Sequence, residues 1–197
     1  MDPLTISTYN KLASDYDAET ADFWENFPQD FLNEFVQKSG KKILNIGSGP
    51  GRDGLLLRQL GCDVVCLDAS EAMIGMCKAQ GFETVLGDLL KLPFKDGSFD
   101  GVWAYTSLLH IPKKDFGKAI NQIVRVLVPG GVLGLGLIEG DTEGYKNSSG
   151  VDLPRLFSLY KKDEVVDILK EYGFELLQYL EFQPRSKKYL NFVFRKM

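Results

Sequence analysis

The chain has 197 residues, 44% of them hydrophobic and 25% charged, with a formal net charge of −4 and a pI near 5.1. That is the length and balance of one domain with a continuous core, so residues 1–197 are read as a single unit. The mild acidity excludes a general field for nucleic acid or an anionic membrane surface, and no apolar run approaches a membrane span or follows a basic leader. Cys62, Cys66 and Cys77 are odd in number and lack C-x-x-C spacing, which fits reduced thiols in the cytoplasm. With His110 as the single histidine there is no zinc constellation and no metal is expected.

The first 40 residues carry a helical piece at 28–39 but nothing that belongs in a sheet, which makes them a candidate helical lid. From there apolar blocks alternate as strand and helix. Strands are predicted at 42–46, 63–67, 83–86, 99–104, 131–138, 174–182 and 189–195, with helices at 53–60, 70–80, 115–127 and 161–172. Ser70 can cap the helix whose Met73, Ile74 and Cys77 share a face, and Gly81 can end it. Pro129-Gly130-Gly131 is expected to stop the helix bearing Ile120, Ile123, Val124 and Leu127 and to start the next strand. The segment 139–160, rich in Gly, Ser and Asp, has no place in the sheet and is a possible substrate-covering insertion. The last two strands are joined by a turn too short for a parallel crossover, so they pair antiparallel. The basic run of Arg185, Lys187, Lys188, Arg195 and Lys196 is read as a solvated strand edge. The alternation as a whole predicts an α/β fold, a doubly wound and mostly parallel seven-stranded sheet with the last strand antiparallel and helices on both faces.

Chemistry concentrates where the first strand empties into Gly47-Ser48-Gly49-Pro50-Gly51-Arg52-Asp53-Gly54. Glycine lacks a Cβ, so such a turn brings backbone N–H groups close to a ligand while the next helix presents its N-terminus. Asp68, ending the next strand, can grip a ribose. Two ligands remain open on this pattern. Gly49-x-Gly51-x-x-Gly54 spells a dinucleotide fingerprint, which would imply an NAD-linked oxidoreductase, but that reading requires its first glycine directly after the strand. The register that does follow the strand is Gly47-x-Gly49-x-Gly51.

Ile43-Leu44-Asn45-Ile46-Gly47-Ser48-Gly49-Pro50-Gly51 resembles motif I of the class I S-adenosylmethionine-dependent methyltransferases, small-molecule type. The likeness continues in order through Val65-Cys66-Leu67-Asp68-Ala69-Ser70-Glu71-Ala72-Met73, Gly87-Asp88-Leu89-Leu90-Lys91-Leu92-Pro93-Phe94, Gly97-Ser98-Phe99-Asp100-Gly101-Val102, Leu127-Val128-Pro129-Gly130-Gly131-Val132-Leu133 and Tyr172-Gly173-Phe174. It also reaches an N-terminal lead-in, Tyr9 to Asp17. One departure stands out: family members often carry an acid where this chain has Asn45, near the cofactor's amino group, which implies weaker ammonium recognition.

The resemblance implies S-adenosylmethionine as cofactor, passing over Gly47, Ser48 and Gly49. It implies Asp68 on the ribose hydroxyls, Asp88 and the Leu89 N–H on the adenine edge, and Ala69 and Met73 on the adenine faces. Ala104 and Tyr105 would lie beside the methionine moiety and the acceptor, with Tyr16 folded over the sulfonium. His110, just past the fourth strand, is a candidate proton acceptor. Glu139, Tyr145, Arg155 and Tyr160 are candidates to line an acceptor pocket. The implied function is methyl transfer to a small-molecule acceptor, with no nucleic-acid or membrane partner. A cofactor-binding module without transfer is the other reading left open, and no sequence feature encodes an oligomeric state or names the acceptor atom.

Overall fold

The computed structural model describes residues 1–148 and 151–197. In chain order the elements are α1 (Pro3–Glu19), α2 (Ala21–Glu25), α3 (Gln29–Lys38), β1 (Lys42–Ile46), α4 (Arg52–Gln59), β2 (Asp63–Asp68), α5 (Glu71–Ala79) and β3 (Glu83–Leu86). They continue with β4 (Phe99–Tyr105), a 3-10 turn (Leu108–His110), α6 (Lys113–Val126), β5 (Leu127–Ile138), β6 (Glu143–Ser148), β7 (Val151–Ser158), α7 (Lys162–Glu171), β8 (Phe174–Phe182) and β9 (Tyr189–Lys196).

Seven of these strands form one sheet in the order β3-β2-β1-β4-β5-β9-β8. All pairings from β3 to β5 are parallel, and β9 runs antiparallel to both β5 and β8. The last strand is therefore the antiparallel one, slotted between its neighbours. Its inner residues Leu190, Phe192, Val193 and Phe194 are buried accordingly. Strands covered on both faces read as continuous apolar runs, which is why Ile43, Leu44 and Ile46 are all buried although they alternate sides. One face packs Ile43, Val64, Cys66 and Trp103 under α3, α4 and α5. The other packs Leu44, Val102, Leu133 and Leu135 under α6 and α7. Because β1 has β2 on one side and β4 on the other, the chain leaves it in both directions and opens a crevice beyond its carboxyl end.

Three elements depart from the sequence expectation. The strand expected from residue 131 begins at Leu127, because the helix already ends at Val126 and Leu127 pairs with Phe99 across a bulge. Lys196 Nζ donates to the carbonyls of Val124 and Leu127, both at 2.8 Å, and so satisfies the helix end without the glycines. The N-terminal region holds a full helix, α1, capped by Asp2 accepting from the Thr5 N–H with Pro3 in the first turn. The segment 139–160 is an ordered ribbon rather than an irregular loop: β6 and β7 pair antiparallel, with residues 149 and 150 outside the described set.

Candidate cofactor site

The loop after β1 is folded by its own backbone. The N–H groups of Gly47 and Ser48 both donate to the Leu67 carbonyl, at 2.7 and 3.1 Å, tying the loop to β2. Gly47 has φ +64, and a Cβ there would stand 2.3 Å from Ser107 Cβ. Gly49 has φ +52 but faces open space. Glycine is thus required at 47 by contact and conformation, and at 49 by conformation alone.

The open space belongs to a cavity of about 580 Å³ at the crevice. Its wall brings together Tyr16, Gly47, Ser48, Gly49, Asp68, Met73, Tyr105 and His110 from the sequence-derived set. Ala69, Asp88 and Leu89 stand outside the wall. Leu89 is buried in the core, while Asp88 accepts from the Leu90 N–H at 2.9 Å and pairs with the amino group of Met1, a residue that does line the cavity. Asp68 sits at the tip of β2 with one oxygen 2.9 Å from the Gly49 N–H and the other 2.8 Å from the Ser70 N–H. Burial pushes its carboxyl up and these backbone donors hold it down. The side chain is fixed at the rim with lone pairs to spare.

The wall also contains Tyr9, Trp24, Arg52, Asp53, Thr106 and Ser107. Among the described residues Thr106 is the non-glycine residue with positive φ, +50, a strained conformation of the kind that collects at binding sites. Tyr105 Oη and Ser107 Oγ are buried without a hydrogen-bond partner. Trp24 and Phe27 pack on Tyr105, with ring centroids 5.6 and 4.9 Å apart, to make an aromatic side.

Asp53 is the charged group that sequence reasoning passed over. Its position in the first turn of α4 reads as an ordinary complement to the helix dipole. In the structure it is 4% exposed. One oxygen accepts from Asn45 Nδ2 at 2.8 Å and the Gly54 N–H at 2.9 Å, and the other from Trp103 Nε1 at 3.1 Å. Burial pushes its carboxyl up to about 6 against those hydrogen bonds.

His110 is locked rather than poised. Its Nδ1 lies 2.6 Å from the Leu156 carbonyl and so carries the proton. Nε2 must then accept, and Tyr9 Oη donates to it at 2.8 Å, while Arg155 donates to the same hydroxyl at 2.7 Å. Burial pushes the imidazole down to about 3, which keeps it neutral. It holds Tyr9 in place, and both ring nitrogens are spoken for.

α1 brings Tyr9 and Tyr16 to the cavity wall, and β7 holds it there. Thr8 Oγ1 donates to the Pro154 carbonyl at 2.8 Å, and the Leu156 N–H donates to Thr5 Oγ1 at 2.9 Å. Arg52 adds a tie from α4, its Nε 2.6 Å from an Asp17 carboxylate oxygen. The Arg155 guanidinium lies over the rings of Tyr9, Tyr16 and Phe157, 5.0, 5.7 and 5.3 Å from their centroids. Arg155, Tyr9 and Tyr16 also line a smaller cavity of about 270 Å³. Glu139, Tyr145 and Tyr160 do not line either cavity: Glu139 pairs with Lys188, Tyr145 is exposed and bonds Asp2, and Tyr160 is buried against Phe116.

The cavity wall therefore carries a fixed carboxylate, a second carboxylate, two unpartnered hydroxyls and aromatic faces. That set suits a molecule with a diol, a cationic group and a hydrogen-bonding amino-acid end. No group of described residues could hold a metal ion.

Comparison with known proteins agrees. Residues 44–135 match a methyltransferase domain family. Over 163 residues the chain is 29% identical to a sterol 24-C-methyltransferase of Schizosaccharomyces pombe, covering 72% of this chain and 41% of that protein. Over 141 residues it is 32% identical to a demethylmenaquinone methyltransferase of Symbiobacterium thermophilum, covering 62% of this chain and 54% of that one. The chain thus spans about half the length of these relatives. Its fold matches the 1,6-didemethyltoxoflavin-N1-methyltransferase of Burkholderia thailandensis, a structure with bound S-adenosylhomocysteine, at a TM-score of 0.72 and 20% identity, covering 94% of this chain and 87% of that one. Sequence likeness over residues 44–135 and fold likeness over most of the chain thus both point to methyltransferases.

Proposed function

We propose that this chain binds S-adenosylmethionine and transfers its methyl group to a small-molecule acceptor. The observation that carries the reading is Asp68, clamped by the Gly49 and Ser70 N–H groups at the rim of a cavity floored by Gly47 to Gly49. A carboxylate so held can accept both hydroxyls of a ribose with no cost of reorganisation. Met73 would pack on the base from the cavity wall, and Asp88, just outside that wall, would meet the base edge where the Met1 amino group now pairs with it. Tyr16, Trp24 and Tyr105 would face the sulfonium, whose positive charge an aromatic quadrupole favours.

The bound cofactor supplies an electrophilic methyl on a sulfonium, and the chain's own contribution is placement. Alignment of this kind supplies up to roughly 7 to 11 kcal/mol in the best-oriented cases. Tyr9, held by His110 and Arg155, and Tyr105 would shape the acceptor's side. We read His110 as a positioning residue, a reading supported by the contacts that occupy both of its ring nitrogens. We read α1 and the β6–β7 ribbon as the cover of one catalytic domain, working in the cytoplasm, where the buried unpaired thiols of Cys62, Cys66 and Cys77 stay reduced. No helix among the described residues is long and apolar enough to cross a membrane. The NAD reading meets a physical objection. Its pyrophosphate would share the N-terminus of α4 with Asp53, a buried carboxylate facing the same cavity.

Titration calorimetry with S-adenosylhomocysteine and with NAD, followed by a labelled-methyl screen over metabolite pools, tests the proposal. Binding of the first and not the second is expected, with the Asp68→Ala variant binding neither. Unchanged affinity in that variant, or preference for NAD, overturns it.

A further inference from the structure

Asp53 is a carboxylate without a cation. Its partners are an amide, a backbone N–H and an indole N–H, and among the described residues no lysine or arginine pairs with it. The adjacent Arg52 turns away to Asp17. Tyr16, Tyr105, Cys66 and Cys77 feel the field of Asp53, and none of them is cationic. A buried charge left in this state needs a counter-charge, and Asp53 faces the cavity.

We infer that Asp53 is the residue that receives the α-ammonium group of the cofactor's amino-acid end, with Asn45 as the hydrogen-bond donor that aims it. The inference rests on the cofactor proposed above, which carries two positive groups. The sulfonium has no N–H or O–H to donate and belongs against aromatic faces. The ammonium has three donors and belongs on a carboxylate acceptor. The geometry also explains Asn45. Its Nδ2 must point at Asp53, because its oxygen there would oppose a carboxylate, and Asn45 Oδ1 is left buried and unpartnered. The negative charge missing from β1 is thus supplied from the first turn of α4, 2.8 Å from the amide that stands in its place. On this reading ammonium recognition is displaced from β1 to α4.

The experiment compares two ligands that differ at the amino-acid end. S-Adenosylhomocysteine carries the ammonium, and 5′-methylthioadenosine lacks the whole amino-acid group. Binding of each is measured calorimetrically to wild type, to Asp53→Asn, and to the exchanged double variant Asn45→Asp, Asp53→Asn, with thermal melting to confirm folding. The single variant should lose about tenfold or more in affinity for S-adenosylhomocysteine and hold 5′-methylthioadenosine within about twofold. The exchanged variant should regain part of the loss, since its acid and amide have traded places. Equal loss of both ligands, or no loss of the first, overturns the role of Asp53 while leaving the cofactor reading intact. Failure of wild type to bind either ligand overturns both.

Discussion

Asp53 should write itself into the pH dependence of stability in the ligand-free protein. Its carboxyl stands at about 6 in the fold against an ordinary 3.8, so the native state holds a proton between those values that the unfolded chain has released. Stability attributable to this residue therefore falls as pH rises through that window. At about 1.4 kcal/mol per decade the gap amounts to about 3 kcal/mol, absent below the lower value and fully expressed above the upper. His110 works in the opposite sense. Its ring is pushed from 6.5 down to about 3, so its stabilising contribution is complete above the first value and is lost as pH falls toward the second. The two slopes oppose each other in wild type, so the informative quantity is the difference between variant and wild type. Urea unfolding from about pH 4 to about pH 8 should show Asp53→Asn gaining about 3 kcal/mol on wild type across the range. A constant offset of about 1–3 kcal/mol will be superimposed, because the new amide meets the Trp103 N–H with a donor. His110→Asn should show a difference of reversed slope. A difference for Asp53→Asn that stays flat within about 1 kcal/mol refutes the buried ionisation.

Gly134 sits under Trp103, and a Cβ there would come 2.4 Å from that ring and 2.9 Å from Phe35. Gly134→Ala should cost about 1–3 kcal/mol, read as a lower Tm, and should weaken S-adenosylhomocysteine binding by shifting the indole that bonds Asp53; an unchanged Tm refutes the packing argument. Arg52 and Asp17 are each partly exposed, so Arg52→Ala should cost under about 1 kcal/mol of global stability. The same variant should hasten proteolytic cleavage within α1, and wild-type cleavage kinetics would show that this ion pair does not hold the cover.

What was legible before the structure was whatever repeats with a physical period. The run Ile43 to Ile46, buried on both faces, and the spacing of Phe116, Ala119, Ile120, Ile123 and Val126 along α6 both announce themselves. So does the pairing of the last two strands, set by the shortness of their turn. α1 escaped because its inward face is polar: Thr5 and Thr8 are buried there with Tyr9 and Tyr16 turned to a cavity, so no apolar stripe marks it. Its Asp2-Pro3 start was the available signal. The ribbon escaped because Gly144 and Pro154 read as breakers and β6 is largely exposed. On β7, Pro154 is tolerated because its carbonyl, rather than a missing N–H, makes the contact to Thr8. Within the site, Gly47, Gly49 and Asp68 could be found from the order of strand, loop and strand. Asp53 could not, since an acid in a first helical turn is common and only the indole brought over from β4 shows that this one is buried.

The clasp between α1 and β7 joins residues 146 positions apart. During synthesis α1 leaves the ribosome before β7, and the groups that seat it, the Pro154 and Leu156 backbone and the Arg155 side chain, emerge only after five strands of the central sheet. While the residues between them are made, α1 has no β7 to seat it. At about 5–20 residues per second that interval lasts on the order of ten seconds. Seating α1 is a late event in the birth of the molecule, and a codon change that slows elongation just before the ribbon prolongs the unseated state without altering a single residue.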